Sequence, residues 1–250
     1  MREFRPIIAT EVDEFLKLLC ATFELDFTRA QPIFSSEPFF DLNRKWACVD
    51  DGEIVACATT VPISFGKVRG VGIAGVATNP KFRGKGVGGE LLETVLKNET
   101  HALLFAKDER LYSSHGFTLL DEISTILMPG SDLPIEPIQK KRLDVREMYE
   151  KWVSEDDSRL HRDDKRWEYW DWSMKSPYQL GSGYVAVELG RVREMLPTYS
   201  SLPFSEPLEW YGLSSMAEKL GIPNRRKQPD LFLMGRGFDF IPEMFLTDQF

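Results

Sequence analysis

The sequence predicts an α/β protein of the α+β kind: a mixed, mostly antiparallel sheet flanked by helices, followed by a second, smaller α+β unit. Three observations predict it. An Asp-Gly turn signal joins two β-rich runs, so neighbouring strands of the first half run antiparallel. Two helical stripes interrupt these strands, one beginning near Thr10 and one after Gly89. A proline-rich break at Pro129 then separates them from a more aromatic segment. The expected division is residues 1–129 and residues 130–250.

Taken in order, "EFRPII" reads as a short strand. Thr10 is expected to cap a helix, with Asp13 three residues on, and Val12, Phe15, Leu16, Leu19 and Phe23 give that helix a buried face. From Glu24 to Asn43 the periodicity breaks around Pro32 and Pro38, which suits a short helix, a loop and a binding wall. "WACVDDGEIVACATTVPISF" is the hairpin, turning at Asp50-Asp51-Gly52. "GVGIAGVAT" is a further strand whose glycines mark a bulge or the close approach of another backbone or a ligand. Leu91, Leu92, Val95 and Leu96 stripe the next helix. "ALLFA" is a buried strand, "LYSSHGF" a turn and "TLLDEISTILM" a strand. Beyond the linker "PGSDLPIEPIQKK", Val145, Met148, Tyr149, Trp152 and Val153 are helix-spaced. "GYVAVEL", "LEWYGL" and "DLFLMGRGF" read as strands, "SSMAEKLGI" as a helix, and "LTDQF" as the end of an apolar strand. Trp152, Trp167, Trp170, Trp172 and Trp210 are expected in cores and interfaces.

Composition excludes several classes. At 250 residues, 42% hydrophobic and 28% charged, the chain can bury two modest cores. A net charge of −8 argues against a nucleic-acid backbone as partner. Cys20, Cys48 and Cys57 lie far apart among apolar residues, with no C-x-x-C, so buried thiols are expected and neither disulfides nor a metal site. The charged N-terminus does not read as a signal peptide, and no apolar run is long enough to span a bilayer. A soluble, cytoplasmic protein is expected, with its oligomeric state open.

The stretch that carries chemistry is "ATNPKFRGKGVGGELLETVL", Ala77 to Leu96. Gly84-Lys85-Gly86-Val87-Gly88-Gly89 fits G-x-G-x-x-G, but a dinucleotide fold needs the first glycine directly after a parallel strand. Here Pro80 ends the strand early and the upstream strands are antiparallel. No Gly-Lys-Ser/Thr follows, which excludes a Walker loop. Read from Arg83 as R-x-x-G-x-G, the same letters describe a glycine-rich turn at a helix N-terminus, whose successive amides cradle a diphosphate. Lys81, Arg83 and Lys85 concentrate positive charge there in an otherwise acidic chain.

"VATNPKFRGKGVGGELL" resembles the acyl-CoA signature of the GNAT superfamily of N-acetyltransferases, with Pro80, Phe82, Arg83, Gly86, Val87 and Gly88 matching position by position. "LYSSHGF" resembles the family's second signature. The resemblance covers about Met1 to Met128. It implies the GNAT fold and transfer of an acetyl group from acetyl-CoA to a primary amine of a small molecule or peptide. It further implies that Val76, Ala77 and Thr78 pair with the pantetheine arm, and that Arg83, Gly84, Lys85, Gly86, Val87 and Gly88 hold the diphosphate. Tyr112 is implied to protonate the leaving thiolate. The base is open: "GVGIAGVAT" has no carboxylate, and Glu24, Asp26, Asp41 and His115 are candidates. "REMYEKWVSEDDSRLHRDDKRWEYW", notably Arg162 and Trp167, resembles the linking segment of enhanced-intracellular-survival acetyltransferases. Those enzymes follow the first GNAT unit with a degenerate second one and use a terminal carboxylate as base. The resemblance implies a second GNAT-like unit without its own coenzyme, and a carboxylate at Phe250 as a further base, although the chain lacks the length of their third domain. The alternative function is a non-catalytic acyl-CoA-binding or sensor module.

Overall fold

The computed structural model describes residues 1–130, 145–174, 177–180, 183–196, 206–223 and 227–250. The expected linker after Pro129 falls mostly outside them. In chain order the elements are β1 (Arg2–Pro6), α1 (Val12–Phe23), α2 (Phe27–Ser36), β2 (Lys45–Asp50), β3 (Glu53–Phe65), β4 (Val68–Thr78), α3 (Val87–Leu96), β5 (Ala102–Ala106), α4 (Arg110–Ser113) and β6 (Thr118–Met128). They continue with α5 (Val145–Val153), α6 (Asp164–Ser173), β7 (Tyr178–Leu180), β8 (Gly183–Glu188), β9 (Arg191–Leu196), β10 (Leu208–Leu213), α7 (Ser214–Lys219) and β11 (Lys227–Arg236).

The first half follows the expected order. Asp51 and Gly52 both take positive φ, 51° and 87°, which is the backbone twist a two-residue hairpin demands. β3 is apolar on both faces because a helix covers each. Cys57 packs toward α1 with Phe15 and Leu18, while Ala56 and Ala58 pack toward α3 with Leu91 and Val95. The start of α1 differs from expectation. A 3-10 turn, Ala9–Glu11, precedes it with Ile8 as its N-cap; the Glu11 carboxylate accepts the Ile8 amide at 2.9 Å, and Thr10 lies inside the turn rather than capping α1. Arg5 holds that carboxylate by two hydrogen bonds, at 2.8 and 2.7 Å.

Strand order across the sheet is β1-β2-β3-β4-β5-β11-β6-β10-β9-β8-β7. All pairs are antiparallel except β4 with β5 and β10 with β9. β11, from the C-terminal half, inserts between β5 and β6 of the N-terminal half. The two halves therefore share one sheet and one large core, in which Ile63, Leu103 and Ile123 meet Tyr149, Trp167, Trp210 and Leu233. The strands β7 and β9 have no counterpart in the sequence reading. The expected apolar strand before "LTDQF" is instead irregular chain and a buried 3-10 turn, Leu246–Asp248. Cys20, Cys48 and Cys57 are buried and unpaired; burial pushes the Cys57 thiol up to about 12, so it is inert near neutral pH. No helix among the described residues is long and apolar enough to cross a membrane.

Candidate active site

The glycine-rich segment folds as local chemistry dictates. β4 ends at Thr78, and the Asn79 side chain accepts the Lys81 amide at 3.1 Å, starting a 3-10 turn over Pro80–Phe82. Gly84 and Gly86 then take φ of +73° and +78°, a conformation L side chains resist. Gly86 is the N-cap of α3, and its carbonyl accepts the Glu90 amide at 3.0 Å. The amides of Gly84, Lys85, Gly86, Val87, Gly88 and Gly89 meet no acceptor among the described residues. They form a concave run of donors at the positive end of a helix dipole, which is a built anion site. At Gly88 a Cβ would lie 2.9 Å from the Thr78 hydroxyl, so helix and strand approach too closely for a side chain. The Arg83 Nε donates to the Thr78 carbonyl at 3.2 Å and Lys85 lies 5.0 Å from the Phe82 ring centroid, holding both cations at the rim.

Beside this loop the sheet forks. β4 pairs with β5 only over Val71–Ile73 against Ala102–Leu104. Beyond Ile73 a bulge intervenes, with Thr59 opposite Ala74 and Cys57 opposite Ala77. Gly75 lies in that bulge at φ +57°, and a Cβ there would lie 3.0 Å from the Leu19 side chain. The edge of β4 from Ala74 to Thr78 is consequently unpaired on its β5 side, free to accept an extended ligand as a further strand.

Tyr112 closes the same cleft. Its four-residue helix α4 and the Gly116 turn, φ +81°, fold its ring against Phe117 at 6.1 Å. Burial alone raises its pKa, so the phenol keeps its proton beyond the ordinary range. A cavity of about 450 Å³ joins Val76, Thr78, Arg83, Gly84, Gly86, Val87 and Gly88 to Tyr112. Of the expected residues, Ala77 faces the opposite way, into the core under α1, as strand alternation requires. Lys85 is not among the residues lining the cavity. His115 also lines it, 3.7 Å from Glu93. Thr22 carries no sequence signal, yet it lines this cleft and its buried hydroxyl has no hydrogen-bond partner among the described residues. Its place at the end of α1 follows from helix packing and not from any motif.

On the α1 side of the fork lies a larger cavity of about 680 Å³, lined by Gly75, Leu19 and the segment from Phe23 to Glu37. The expected wall is therefore a cavity wall. Glu24 and Asp26 line it; Asp41 instead caps a turn by accepting the Asn43 amide at 2.9 Å. Trp172 lines it too, a residue expected only in core or interface.

Phe250 lies on this side as well. Its ring contacts Phe105 at 5.3 Å and lies where a Cβ on Gly72 would be 2.4 Å from it, at the base of the fork. A fully buried ionic cluster fixes the chain just before it. Arg162 donates to Asp248 at 2.8 and 2.7 Å, to Glu194 at 3.0 and 2.7 Å and to Thr247 at 3.0 Å, stacked 3.7 Å from the Tyr149 ring. Arg166 bridges the Asp248 carbonyl and the Pro62 carbonyl of β3. Burial would push the Glu194 carboxyl up. The Arg162 charge and its hydrogen bonds, with those from Thr247 and Tyr184, outweigh burial and hold it below its ordinary value.

Residues 3–120 match the family model described as an acetyltransferase (GNAT) domain. This part of the chain is a GNAT domain. Solved structures resemble the fold well beyond it. A GCN5-related N-acetyltransferase from Kribbella flavida is 18% identical, with TM-score 0.70 over 94% of this chain and 71% of that one. A putative acetyltransferase from Pyrococcus horikoshii is 13% identical, with TM-score 0.67 over 98% and 93%. Eis1 from Mycobacterium abscessus, 12% identical, has TM-score 0.62 over 93% and 73%. A comparison with curated protein sequences finds no match. The likeness of these structures extends over 93% or more of this chain, beyond residues 3–120, and in this chain β11 sits inside the sheet of the matched part.

Proposed function

We propose that the protein is an N-acetyltransferase that moves the acetyl group of acetyl-CoA to a primary amine. The observation that carries this reading is the free amides from Gly84 to Gly89, which open onto the same cleft as the Tyr112 phenol and the unpaired edge of β4. The coenzyme supplies the activated acyl group as a thioester. Diphosphate binds at the α3 N-terminus, with Arg83 and Lys85 at the rim, and the orphan Thr22 hydroxyl gives the pantetheine arm a polar partner. The fork from Val76 to Thr78 aims the thioester between the two cavities. Tyr112, kept protonated by burial, donates to the departing sulfur. The amine arrives from the cavity lined by Glu24 and Asp26 and must be neutral to attack.

Two carboxylates are candidates for taking its proton, directly or through water. Glu24 makes no ion pair among the described residues and lines the acceptor cavity. A main-chain carboxylate at Phe250 would lie at the base of the fork. Steady-state assays of Glu24→Gln and of a chain extended by Gly-Ser beyond Phe250 separate them. The variant carrying the lesion at the base loses about 10²-fold or more in kcat near neutral pH, and the other keeps its rate.

The experiment that tests the function is an amine-panel assay followed by thiol release, paired with calorimetric titration of acetyl-CoA and of NAD. Binding of NAD in place of acetyl-CoA overturns it. The loop itself is tested by Gly86→Val. A β-branched residue held at φ +78° costs about 1–3 kcal/mol. The loop escapes by reshaping, so acetyl-CoA affinity falls by about tenfold or more, while Tyr112 and the cavity beyond the fork are untouched.

A further inference from the structure

The cavity beyond the fork differs in chemistry from a site for a polycation. Phe23, Leu25 and Ile33 line it while 49%, 55% and 55% exposed, a cluster of large apolar side chains that folding alone leaves unexplained. Leu16, Leu19 and Phe34 form its floor. Trp172 of α6 also lines it, tilted 32° against Tyr169 at 5.7 Å, and Tyr169 is itself seated against Phe39 at 5.4 Å. This aromatic wall is therefore rigid and comes from the C-terminal half.

The charge in the cavity is sparse and mixed. Glu24 and Asp26 are its carboxylates without a basic partner, and one oxygen of Asp26 already accepts the Arg29 amide at 2.8 Å. Glu37 faces the buried Lys45 at 3.7 Å. Arg29 lines the same cavity with no carboxylate in ion-pair range among the described residues. A substrate with several ammonium groups would meet this guanidinium and an apolar floor. One ammonium near Glu24, followed by an apolar body between Ile33 and Trp172, matches the surface on both counts. A volume of about 680 Å³ holds a small molecule, and Gly75, shared with the fork, makes the cavity continuous with the transfer site.

We propose that the acceptor is a monoamine with a bulky apolar or aromatic group, and that Trp172 and Ile33 are the residues that select it. This rests on the acetyltransferase reading above. Each methylene buried in the cavity adds its transfer energy to binding, which corresponds to about a fourfold gain in kcat/KM per carbon.

The test measures kcat/KM for straight-chain amines from propylamine to hexylamine, for 2-phenylethylamine and for spermidine. It also titrates the same amines by calorimetry in the presence of desulfo-coenzyme A, where no transfer occurs. The expected result is a rise of about fourfold per methylene, with spermidine at least ten times poorer than 2-phenylethylamine. Trp172→Ala and Ile33→Ser each lower kcat/KM for 2-phenylethylamine by about tenfold without changing acetyl-CoA affinity. Ile33 is exposed, so its variant folds even where the tryptophan variant does not. A flat series, a preference for spermidine, or variants indistinguishable from the parent on 2-phenylethylamine overturns the inference. Chain-length-dependent binding without transfer to any amine supports the inference and overturns the acetyltransferase reading alone.

Discussion

Arg162→Met lowers the stability of the protein by about 3–5 kcal/mol. The guanidinium is wholly buried and holds two wholly buried carboxylates, Glu194 and Asp248. Among the described residues, removing it leaves Glu194 in a low-dielectric interior with only the neutral donors Tyr184, Trp170 and Thr247, and leaves Asp248 with Arg166 alone at 3.9 Å. Urea denaturation reads the loss as a lower midpoint with an unchanged slope. Replacing Arg162 and Glu194 together by apolar residues of similar volume restores part of it, because that pair's desolvation cost disappears while Asp248 keeps Arg166 at 3.9 Å. Turnover does not return with stability in that double variant if Arg162 positions the segment through Phe250 beside the fork. The wild-type cluster also carries a pH signature. The folded Glu194 pKa is depressed, so its contribution is complete above the ordinary carboxylate value near 4.5 and is lost as pH falls through the lower folded value. The stability that Glu194 contributes is therefore lost only on the acid side of an ordinary carboxylate pKa, read as a urea midpoint that falls with pH there.

Tyr112→Phe lowers kcat by about 10²-fold or more while leaving acetyl-CoA affinity unchanged. The phenol lines the cleft through its ring, which phenylalanine keeps, and its hydroxyl has no hydrogen-bond partner among the described residues, so the fold loses nothing with it. The pH profile distinguishes an acid from a packing residue. Burial raises the pKa, so the protonated form that donates persists through neutrality. The activity of the wild type falls only above about pH 10, and that alkaline limb is missing from the Tyr112→Phe profile. Equal turnover of the two proteins removes Tyr112 from the chemistry, and no turnover by either, with coenzyme still bound, points to a binding module rather than a catalyst.

Much of the N-terminal fold was legible because its signals are short-range. Asp51-Gly52 needs only its own backbone freedom to turn the hairpin, and Pro80 ends β4 wherever the strand goes. The loop from Arg83 to Gly88 announced an anion site through residue types that act on their immediate neighbours. Thr10 misled because the helical turn starts two residues earlier, at Ile8, whose amide is accepted by Glu11 held in place by Arg5. Trp172 was read as core since sequence does not say which side of α6 faces a cavity. The chain after Arg236 was read as apolar strand, yet its hydrophobic residues serve a turn buried against α6 and β9, with Asp248 as the ionic partner of Arg162.

By itself, then, the sequence determined the strand–turn–helix units of the first half and the glycine-rich turn that opens α3. Tertiary structure alone decided that β11 enters the sheet between β5 and β6, that Thr22 joins the cleft beside the glycine-rich loop, and that Trp172 and the segment around Asp248 reach the fork. The division has a physical cause. Turns, caps and amide nests are fixed by dihedral preferences over a few residues. Strand insertion, a shared core and the burial of a charge against a partner 86 positions away depend on free energies that exist only once distant segments exclude water together.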